Sequence, residues 1–445
     1  MTNADVHIFK TILYADRPSL RFLRYFLLAA LLFIGLLGLR FAFLSLAPPG
    51  VYMKDFIQEY LLGRAALAGV NPYLPLPELA DQFIGPLDHP IFPHPTPHPP
   101  PVILLGIPLA LLSYETAALV WLLFEIFCLG ASIYLILGWR RQTVPLWPVL
   151  LTTVVVMGWG PVIDGLVVGQ LMSLLLLLLG TAWALWRRDQ WIAGAVVLGI
   201  ATALKLVVWP LTLLFLLYRQ WRALAAFVIT FVGANVLAGL VVGGDVVAFY
   251  YTTVGAEVEA IYRAHEGNFA IWGLGWRLFS GTGSPVIGGI HAPPLLARPE
   301  LAVYGSAMFL LLFLLFVLWA CLKTRRLDAR LAILIGAAVI ANPIAWSHYL
   351  ILLIIPLAIV GRYLSDLSFP RTATNWAGFL ALLMLWPRSE LQRLVRLFAA
   401  PEIGSEIFPA VPFVASLITL TPLLAVLSLL LFILYLERYM VRANV

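Results

Sequence analysis

Long apolar runs separated by short polar segments dominate the pattern of this chain. Runs long enough to cross about 30 Å of hydrocarbon lie near residues 22–46, 115–137, 144–160, 168–186, 222–243, 301–322 and 411–436. Shorter crossings are predicted near 331–343, 347–364 and 373–387. The stretch 191–218 is interrupted by Lys205 and predicts two short helices that enter the membrane and return. The pattern therefore predicts a bundle of about twelve transmembrane helices with both termini on the same side.

The composition supports this interpretation. Hydrophobic residues make up 62% of the chain and charged residues 11%, whereas soluble domains carry roughly 25% charged residues. We therefore expect an all-α polytopic membrane protein with a single integral membrane domain over residues 1–445. The net charge of the chain is +6. In such a protein the basic residues set the orientation in the membrane and contact lipid headgroups, so this charge does not indicate binding to nucleic acid.

Basic residues concentrate on one predicted face, and the longer loops lie on the other. The basic positions are Lys10, Arg17, Arg21, Arg24, Arg140, Arg141, Arg187, Arg188, Arg219, Arg222, Lys323 to Arg330, Arg362, Arg371, Arg438 and Arg442. The positive-inside rule makes this face cytoplasmic. The opposite face carries loops at about 47–100, 244–300 and 388–410. We expect a multi-pass protein of a prokaryotic plasma membrane, with cytoplasmic termini and an active site on the outer face.

The first outer loop contains two carboxylates four residues apart, Asp55 and Glu59. Residues 55–68 predict a short amphipathic helix that ends at Gly69 and an Asn-Pro turn before Tyr73. A carboxylate where membrane meets water is a candidate general base. The alternative is that Asp55 only caps the interfacial helix.

A proline-rich segment, residues 88–101, follows in the same loop and carries His89, His94 and His98. It predicts an extended strap, since proline excludes a helix there. Imidazoles are common zinc ligands, but this spacing gives no convergence, and we predict no metal site. The strap is expected to pack against the loop or to hydrogen-bond a substrate.

Two polar residues interrupt the apolar runs near their predicted outer ends. Lys205 has no acidic neighbour in sequence, and an ammonium in an apolar run must snorkel or meet an anion. A phosphate is the anion we expect there. Gln170 follows Gly169 at a predicted helix end and needs a partner at that depth. It could bind a sugar or cap a neighbouring helix.

Two further segments combine amides, indoles and cations. In the second outer loop Asn268 precedes Arg277, whose guanidinium could hold either a substrate phosphate or lipid headgroups. Trp346 and His348 follow the Asn342-Pro343 break at the outer junction of two crossings. His348 is a candidate active-site residue, with a structural hydrogen bond as the alternative.

Taken in order, these blocks resemble glycosyltransferase family 87, the polyprenol-phosphate-mannose-dependent mannosyltransferases of the membrane-embedded GT-C type. The resemblance spans roughly residues 20–360. It rests on Asp55-Phe56 with Tyr60, Gly69, Asn71-Pro72-Tyr73, the proline-rich strap, Gly169-Gln170, the block from Gly199 to Lys205 with Pro210, Asn268 ahead of Arg277, and Asn342-Pro343 with Trp346 and His348. The strap departs from the aromatic-Pro-Pro pattern expected of the family.

The resemblance implies that Asp55 is the catalytic base and His348 the second active-site residue. It implies transfer of a hexose, namely mannose, from a polyprenyl-phosphate donor to a lipid or glycan acceptor by one inverting displacement. Lys205 and Arg277 are expected at the donor phosphate, and the expected substrate contacts are Glu59, Tyr73, Gln170, Asn268 and Trp346. No cofactor or metal is expected, and the partners are donor, acceptor and membrane lipids.

A transporter or flippase that uses the same cavity without chemistry is the alternative from another class. It predicts buried charges in the middle of several helices, whereas the polar residues here gather at the predicted outer ends. The arrangement of Asp55, Lys205, Arg277 and His348 around one cavity would favour the enzyme.

Overall fold

A computed structural model describes residues 18–87, 89, 91–139, 143–284, 286–366, 371–385, 387–399 and 410–442. The predicted cytoplasmic residues Lys10, Arg17, Arg140 and Arg141, both chain termini and most of the loop at 400–410 lie outside this description.

The described chain is almost entirely helical. In its first half the α-helices are α1 (Pro18–Leu44), α2 (Ile57–Ala68), α3 (Leu76–Phe83), α4 (Val102–Leu109), α5 (Tyr114–Gly138), α6 (Leu146–Val156), α7 (Gly160–Val168), α8 (Met172–Trp186), α9 (Trp191–Leu204), α10 (Leu213–Leu217) and α11 (Trp221–Val242). Short 3₁₀ segments at Gly50–Met53 and Leu206–Thr212 connect them.

The second half contains the remaining helices and one small hairpin. The α-helices are α12 (Gly244–Phe249), α13 (Gly255–Tyr262), α14 (Gly273–Phe279), α15 (Ala302–Lys323), α16 (Leu327–Ala341), α17 (Ile354–Asp366), α18 (Arg371–Leu385), α19 (Arg388–Arg396), α20 (Phe413–Ser416) and α21 (Thr421–Arg442). A π-helical turn spans Tyr250–Val254, and 3₁₀ turns span Pro299–Leu301, Ser347–Leu353 and Leu417–Leu420. Strands β1 (Thr282–Ser284) and β2 (Gly288–Ala292) pair antiparallel in the second predicted outer loop.

The all-α membrane class is confirmed, but the count of twelve crossings is not. Among the described residues six helical segments are long and apolar enough to span a membrane, or seven if the bent pair α6–α7 is one span. The six are Arg21–Leu44, Tyr114–Gly138, Trp221–Val242, Pro299–Lys323, Ser347–Ser365 and Phe413–Val441. The difference arises because several apolar runs fold as helices too short to cross. The predicted crossing at 144–160, for example, extends into two helices that meet at 86°.

Helix α16 lies at the centre of the bundle. Every residue from Leu331 to Ile340 is buried, and α16 packs against α15, α17, α21 and the 3₁₀ segment Leu206–Thr212. A helix that is apolar on all sides belongs in a core. The outer helices α1 and α11 instead expose most of their apolar side chains, as expected for surfaces that face lipid.

The structure corrects the prediction of an amphipathic interfacial helix at residues 55–68. Helix α2 begins at Ile57, and eight of its residues, Ile57 through Gly63 and Ala65, are buried. The reason is close packing against α4, the short apolar piece that follows the strap. Gly63 and Gly106 provide the space: a Cβ on Gly63 would lie 2.4 Å from the Gly106 carbonyl carbon, and one on Gly106 would lie 2.2 Å from the Glu59 carbonyl oxygen.

We predict that Gly63→Ala destabilises the protein, because the added methyl group meets backbone atoms that cannot rotate away. Overpacking of this kind typically costs about 1–3 kcal/mol. The matched control is Gly233→Ala on α11, where nothing lies within 4 Å of the added Cβ. Thermal unfolding of the purified protein should show a lower midpoint for Gly63→Ala and an unchanged or higher one for Gly233→Ala. Equal midpoints would contradict the proposed close packing of α2 on α4.

Candidate active site

One large cavity of about 740 Å³ lies among the helix ends in the described part of the chain. Five of the nine predicted site residues line it: Asp55, Gln170, Lys205, Trp346 and His348. They come from four separate stretches of sequence. Three of the four residues chosen to distinguish an enzyme from a transporter thus meet at one cavity, and the fourth, Arg277, does not.

Asp55 lies just before α2, in a segment attached to the end of α7. The Phe56 amide donates to the Val168 carbonyl at 3.2 Å. The Lys54 ammonium donates to the Val167 carbonyl at 2.5 Å and to the Ser45 hydroxyl at 2.7 Å. A cation at the carboxyl end of a helix is favourable because its last carbonyls have no helical partners. These contacts fix the backbone on both sides of Asp55.

Gln170 is presented to the cavity by a left-handed residue at the end of α7. Gly169 has φ +76° and packs so closely that a Cβ there would lie 2.9 Å from the Phe56 Cβ. Its carbonyl accepts a 2.9 Å hydrogen bond from the Trp121 indole. Glycine is favoured in this conformation. The predicted helix end at Gly169-Gln170 is therefore observed.

Lys205 occupies the predicted break between two short helices. Its backbone is extended, with φ −154° and ψ 118°, and separates α9 from the 3₁₀ segment Leu206–Thr212. The ammonium donates to Gln170 Oε1 at 2.8 Å, and Gln170 Nε2 donates to Asp55 Oδ2 at 2.7 Å. Lys205 Nζ also lies 4.8 Å from the centre of the Tyr349 ring. The amide thus joins the cation to the candidate base.

His348 and Trp346 reach the cavity from the chain that follows α16. Asn342 and Pro343 end that helix, and the 3₁₀ turn Ser347–Leu353 carries His348. Next to it the Ser347 hydroxyl donates to Asp164 Oδ2 at 2.6 Å.

The sequence argument missed Asp164 and Gln58, which both line the cavity. Asp164 carries a signal that could have revealed it, since it is an acidic residue in the apolar run before Gln170. Gln58 carries none, because a glutamine near a predicted interface is ordinary.

Arg277 is buried but holds protein backbone. Its guanidinium donates to the carbonyls of Glu266 at 2.5 Å, Asn268 at 3.1 Å and Ser416 at 3.2 Å, and to the Thr419 hydroxyl at 2.8 Å. These contacts connect α14 to the loop before it and to the chain before α21. Arg277 was expected at a donor phosphate; in this structure its guanidinium binds protein groups and does not line the cavity.

Asn268 and Tyr73 also have structural contacts and do not line the cavity. Asn268 Oδ1 accepts from the amides of Ala345 at 2.9 Å and Ala270 at 3.0 Å, and Nδ2 donates to the Pro343 carbonyl at 3.0 Å. The Tyr73 hydroxyl donates to the His98 carbonyl at 2.9 Å. Both residues were expected to contact substrate; in this structure they support the chain around the cavity and stand outside its lining.

Glu59 is fully buried behind the cavity, where its Oε1 lies 3.2 Å from His98 Nε2 on the strap. Burial raises the pKa of the Glu59 carboxyl and lowers the pKa of the His98 imidazole. Both directions favour neutral groups, so a protonated carboxyl can donate to an imidazole nitrogen. Glu59, expected to contact substrate, thus contacts the strap from α2 and stands outside the lining of the cavity.

The described strap residues, 89 and 91–101, form neither a helix nor a strand, and His94 and His98 have separate partners. His94 contacts Tyr262, and His98 contacts Glu59. Among the described residues no group of three His, Cys, Asp or Glu side chains is arranged to hold a metal ion.

Comparison with known proteins identifies related sequences. Residues 97–345 match the model of glycosyltransferase family 87, which is more than half of the chain. A polyprenol-phosphate-mannose-dependent alpha-(1-2)-phosphatidylinositol pentamannoside mannosyltransferase of Mycobacterium tuberculosis is 26% identical over 337 residues, covering 73% of this chain and 70% of that protein. No solved structure matches the chain significantly. The matched range includes Gln170 and Lys205, while Asp55 and His348 lie outside it.

We predict that Glu59→Gln removes a pH dependence of stability. A carboxyl whose pKa is raised on folding contributes stability that is present below its ordinary pKa and lost as the pH rises through the raised value. The wild-type unfolding midpoint should therefore fall as the pH rises above the ordinary carboxyl range. Glutamine can still donate to His98 but cannot ionise, so the variant should lose less over the same range. The exposed Glu257→Gln is the control, and a variant profile identical to wild type would contradict the assignment.

Proposed function

The chain belongs to glycosyltransferase family 87 and is a membrane glycosyltransferase, and on that premise we propose that it transfers mannose from a polyprenyl-phosphate donor to a hydroxyl group of a glycolipid or glycan. The observation that carries the proposal is the hydrogen-bonded row Asp55–Gln170–Lys205 on the cavity wall. It places a candidate base and a cation at two points of one cavity. The relative's dependence on polyprenol-phosphate-mannose supports the choice of donor.

Asp55 is the general base in this proposal. Its carboxylate accepts the proton of the acceptor hydroxyl as that oxygen attacks the anomeric carbon. The bond between the anomeric carbon and the phosphate oxygen breaks at the same time, and polyprenyl phosphate leaves with the electron pair. Attack from the face opposite to the leaving group inverts the anomeric configuration. Gln170 orients the carboxylate by donating to Oδ2.

Lys205 stabilises the leaving phosphate. Negative charge develops on the departing oxygen, and a cation held in position beside it stabilises that charge. In the resting site the ammonium is bound to the amide of Gln170, and a donor phosphate would add to this contact. His348 is the second proposed partner of the phosphate because it lines the same cavity.

The proposed orientation puts the cavity on the outer face, where a lipid-linked sugar serves as donor. The basic segments of the predicted cytoplasmic face support it. The experiment that tests the function incubates membranes containing the full chain with radiolabelled polyprenyl-phosphate-mannose and identifies the labelled product and its anomeric configuration. A product that retains the donor's configuration would refute the single displacement.

We predict that Asp55→Asn lowers turnover by at least two orders of magnitude, about the usual contribution of acid–base catalysis. Asparagine keeps the shape of the side chain but cannot accept the proton. The matched control is Asp245→Asn, an exposed acid at the start of α12, which should keep wild-type turnover. Near-normal turnover of a well-expressed Asp55→Asn protein would refute the assignment of the base.

We predict that Lys205→Gln weakens inhibition by polyprenyl phosphate, the product that retains the phosphate. Hydrogen bonds to charged groups contribute about 1.5–3 kcal/mol, so the inhibition constant should rise about tenfold or more. Lys323→Gln, which replaces an exposed lysine at the end of α15, is the control. An unchanged inhibition constant in Lys205→Gln would show that the phosphate binds elsewhere.

A further inference from the structure

Helix α19 presents one side to the protein and another to its surroundings. On the inner side Leu391 and Val395 are buried, and the helix packs against the 3₁₀ turn that precedes α21. Gln392 donates to Glu266 Oε1 at 3.0 Å, which attaches α19 to the loop before α14. Ser389 and Gln392 also line the cavity. The inner side of α19 is therefore part of the cavity wall.

The other side of α19, with the turn that follows it, combines exposed apolar and basic side chains. Leu394, Leu397 and Phe398 are exposed, the last two to 79% and 52%. Arg393 and Arg396 are exposed as well. Residues three apart share a side of a helix, so the two leucines form an apolar stripe beside a basic stripe made by the two arginines. We call these five residues the amphipathic face.

The helix that leads into α19 indicates where the amphipathic face lies. Helix α18 packs against α21, which belongs to a segment long and apolar enough to span a membrane. Its side chains Phe379, Leu382 and Leu385 are exposed, as expected for a surface that faces lipid. Since α18 ends at Leu385 and α19 begins at Arg388, the amphipathic face continues this surface where acyl chains meet headgroups. Apolar residues beside basic ones are typical of helices that lie in a membrane interface.

The charge of α19 indicates the kind of lipid. The helix contains three arginines and one glutamate, which gives a net charge of 3 − 1 = +2. Arg393 pairs with Glu390 at 2.7 Å, and the two side chains are 75% and 43% exposed. Exposed ion pairs are weak, so a lipid phosphate can replace Glu390 in this contact. Arg396 forms no ion pair within the described part of the chain. Anionic headgroups fit this charge, because basic residues at a membrane surface attract anionic lipids.

From this arrangement we propose that α19 is an interfacial helix that binds anionic phospholipids of the leaflet on the side of the cavity. The apolar side chains of the amphipathic face lie among the upper parts of the acyl chains, and its two arginines bind headgroup phosphates. The inner side of the same helix lines the cavity, so the bound lipids support one part of the cavity wall. The proposal does not depend on the proposed reaction. A second copy of the chain is a poorer occupant, since a symmetric contact would bring the arginines of both copies together.

The first experiment locates the amphipathic face relative to lipid. Full-length Leu397→Cys protein is labelled with bimane and reconstituted in nanodiscs of phosphatidylcholine and phosphatidylglycerol. Cys128 and Cys321 are buried, and the unsubstituted protein measures their background labelling. Lipids with brominated acyl chains should quench the label as they quench Leu311→Cys on the exposed side of α15. Aqueous iodide should quench it less than Asp81→Cys, an exposed position on α3.

Two results of this experiment would overturn the proposal. Quenching by iodide without quenching by brominated lipid would place the face in water. Quenching by neither agent would show that another part of the protein, or a second copy of it, covers the face.

The second experiment tests the preference for anionic lipid with the same label, in nanodiscs where only one of the two lipids is brominated. At equal mole fraction brominated phosphatidylglycerol should quench at least about threefold more than brominated phosphatidylcholine, because each arginine at the surface adds attraction for anionic lipid. The preference should disappear in Arg393→Gln/Arg396→Gln and persist in Arg393→Lys/Arg396→Lys, which keeps the charge. Arg298→Gln, which removes an exposed arginine 3.9 Å from Glu300, is the matched control and should keep the preference. Equal quenching by the two lipids in the Leu397→Cys protein, or a preference that survives both glutamine substitutions, would overturn the proposal.

Discussion

The ammonium of Lys205 is the constraint on which the site depends. A cation between apolar helices is tolerated only if polar groups compensate it. Here the compensation comes from Gln170, which in turn binds Asp55. Three segments distant in sequence must therefore meet: the start of α2, the end of α7 and the break after α9. Three local features bring these segments together: the left-handed Gly169, the extended backbone at Lys205 and the hydrogen bond between Phe56 and Val168.

Membrane packing explains why these features lie at helix ends. In a helix interior the backbone hydrogen bonds are satisfied and side chains project towards lipid or neighbouring helices. A cavity that accepts polar groups needs ends and breaks, where carbonyls and amides are available. The short helices α7, α9 and the 3₁₀ turn at Ser347 provide such ends around one space. The buried helix α16 packs against two of the 3₁₀ segments around the cavity, Leu206–Thr212 and Ser347–Leu353.

The sequence predicted the class of protein, most helix positions and five of the residues around the cavity, because each carried a local signal. Lys205 stood out in an apolar run, Gln170 followed a glycine, and His348 followed an Asn-Pro break. Arg277 and Asn268 carried the same kind of signal, yet the fold uses them to hold backbone. Sequence alone cannot distinguish a polar residue that lines the cavity from one that binds backbone, because the difference depends on tertiary partners. The number of crossings was likewise undecided by composition, since a bent apolar run and a straight one have the same hydropathy.

The way in which the strap is attached has a consequence for the substitution of its side chains. Its main chain accepts three hydrogen bonds at carbonyl oxygens. The Tyr73 hydroxyl donates to the His98 carbonyl, the Tyr250 hydroxyl to the Pro97 carbonyl and the Leu76 amide to the His94 carbonyl. Every residue type offers a carbonyl, and proline limits the conformations of the strap without requiring an amide. These main-chain contacts hold the path of the strap in addition to the side-chain contacts of His94, Thr96 and His98. Exchange of a strap side chain that lines the cavity, such as Phe92, therefore alters the cavity wall while these main-chain contacts remain.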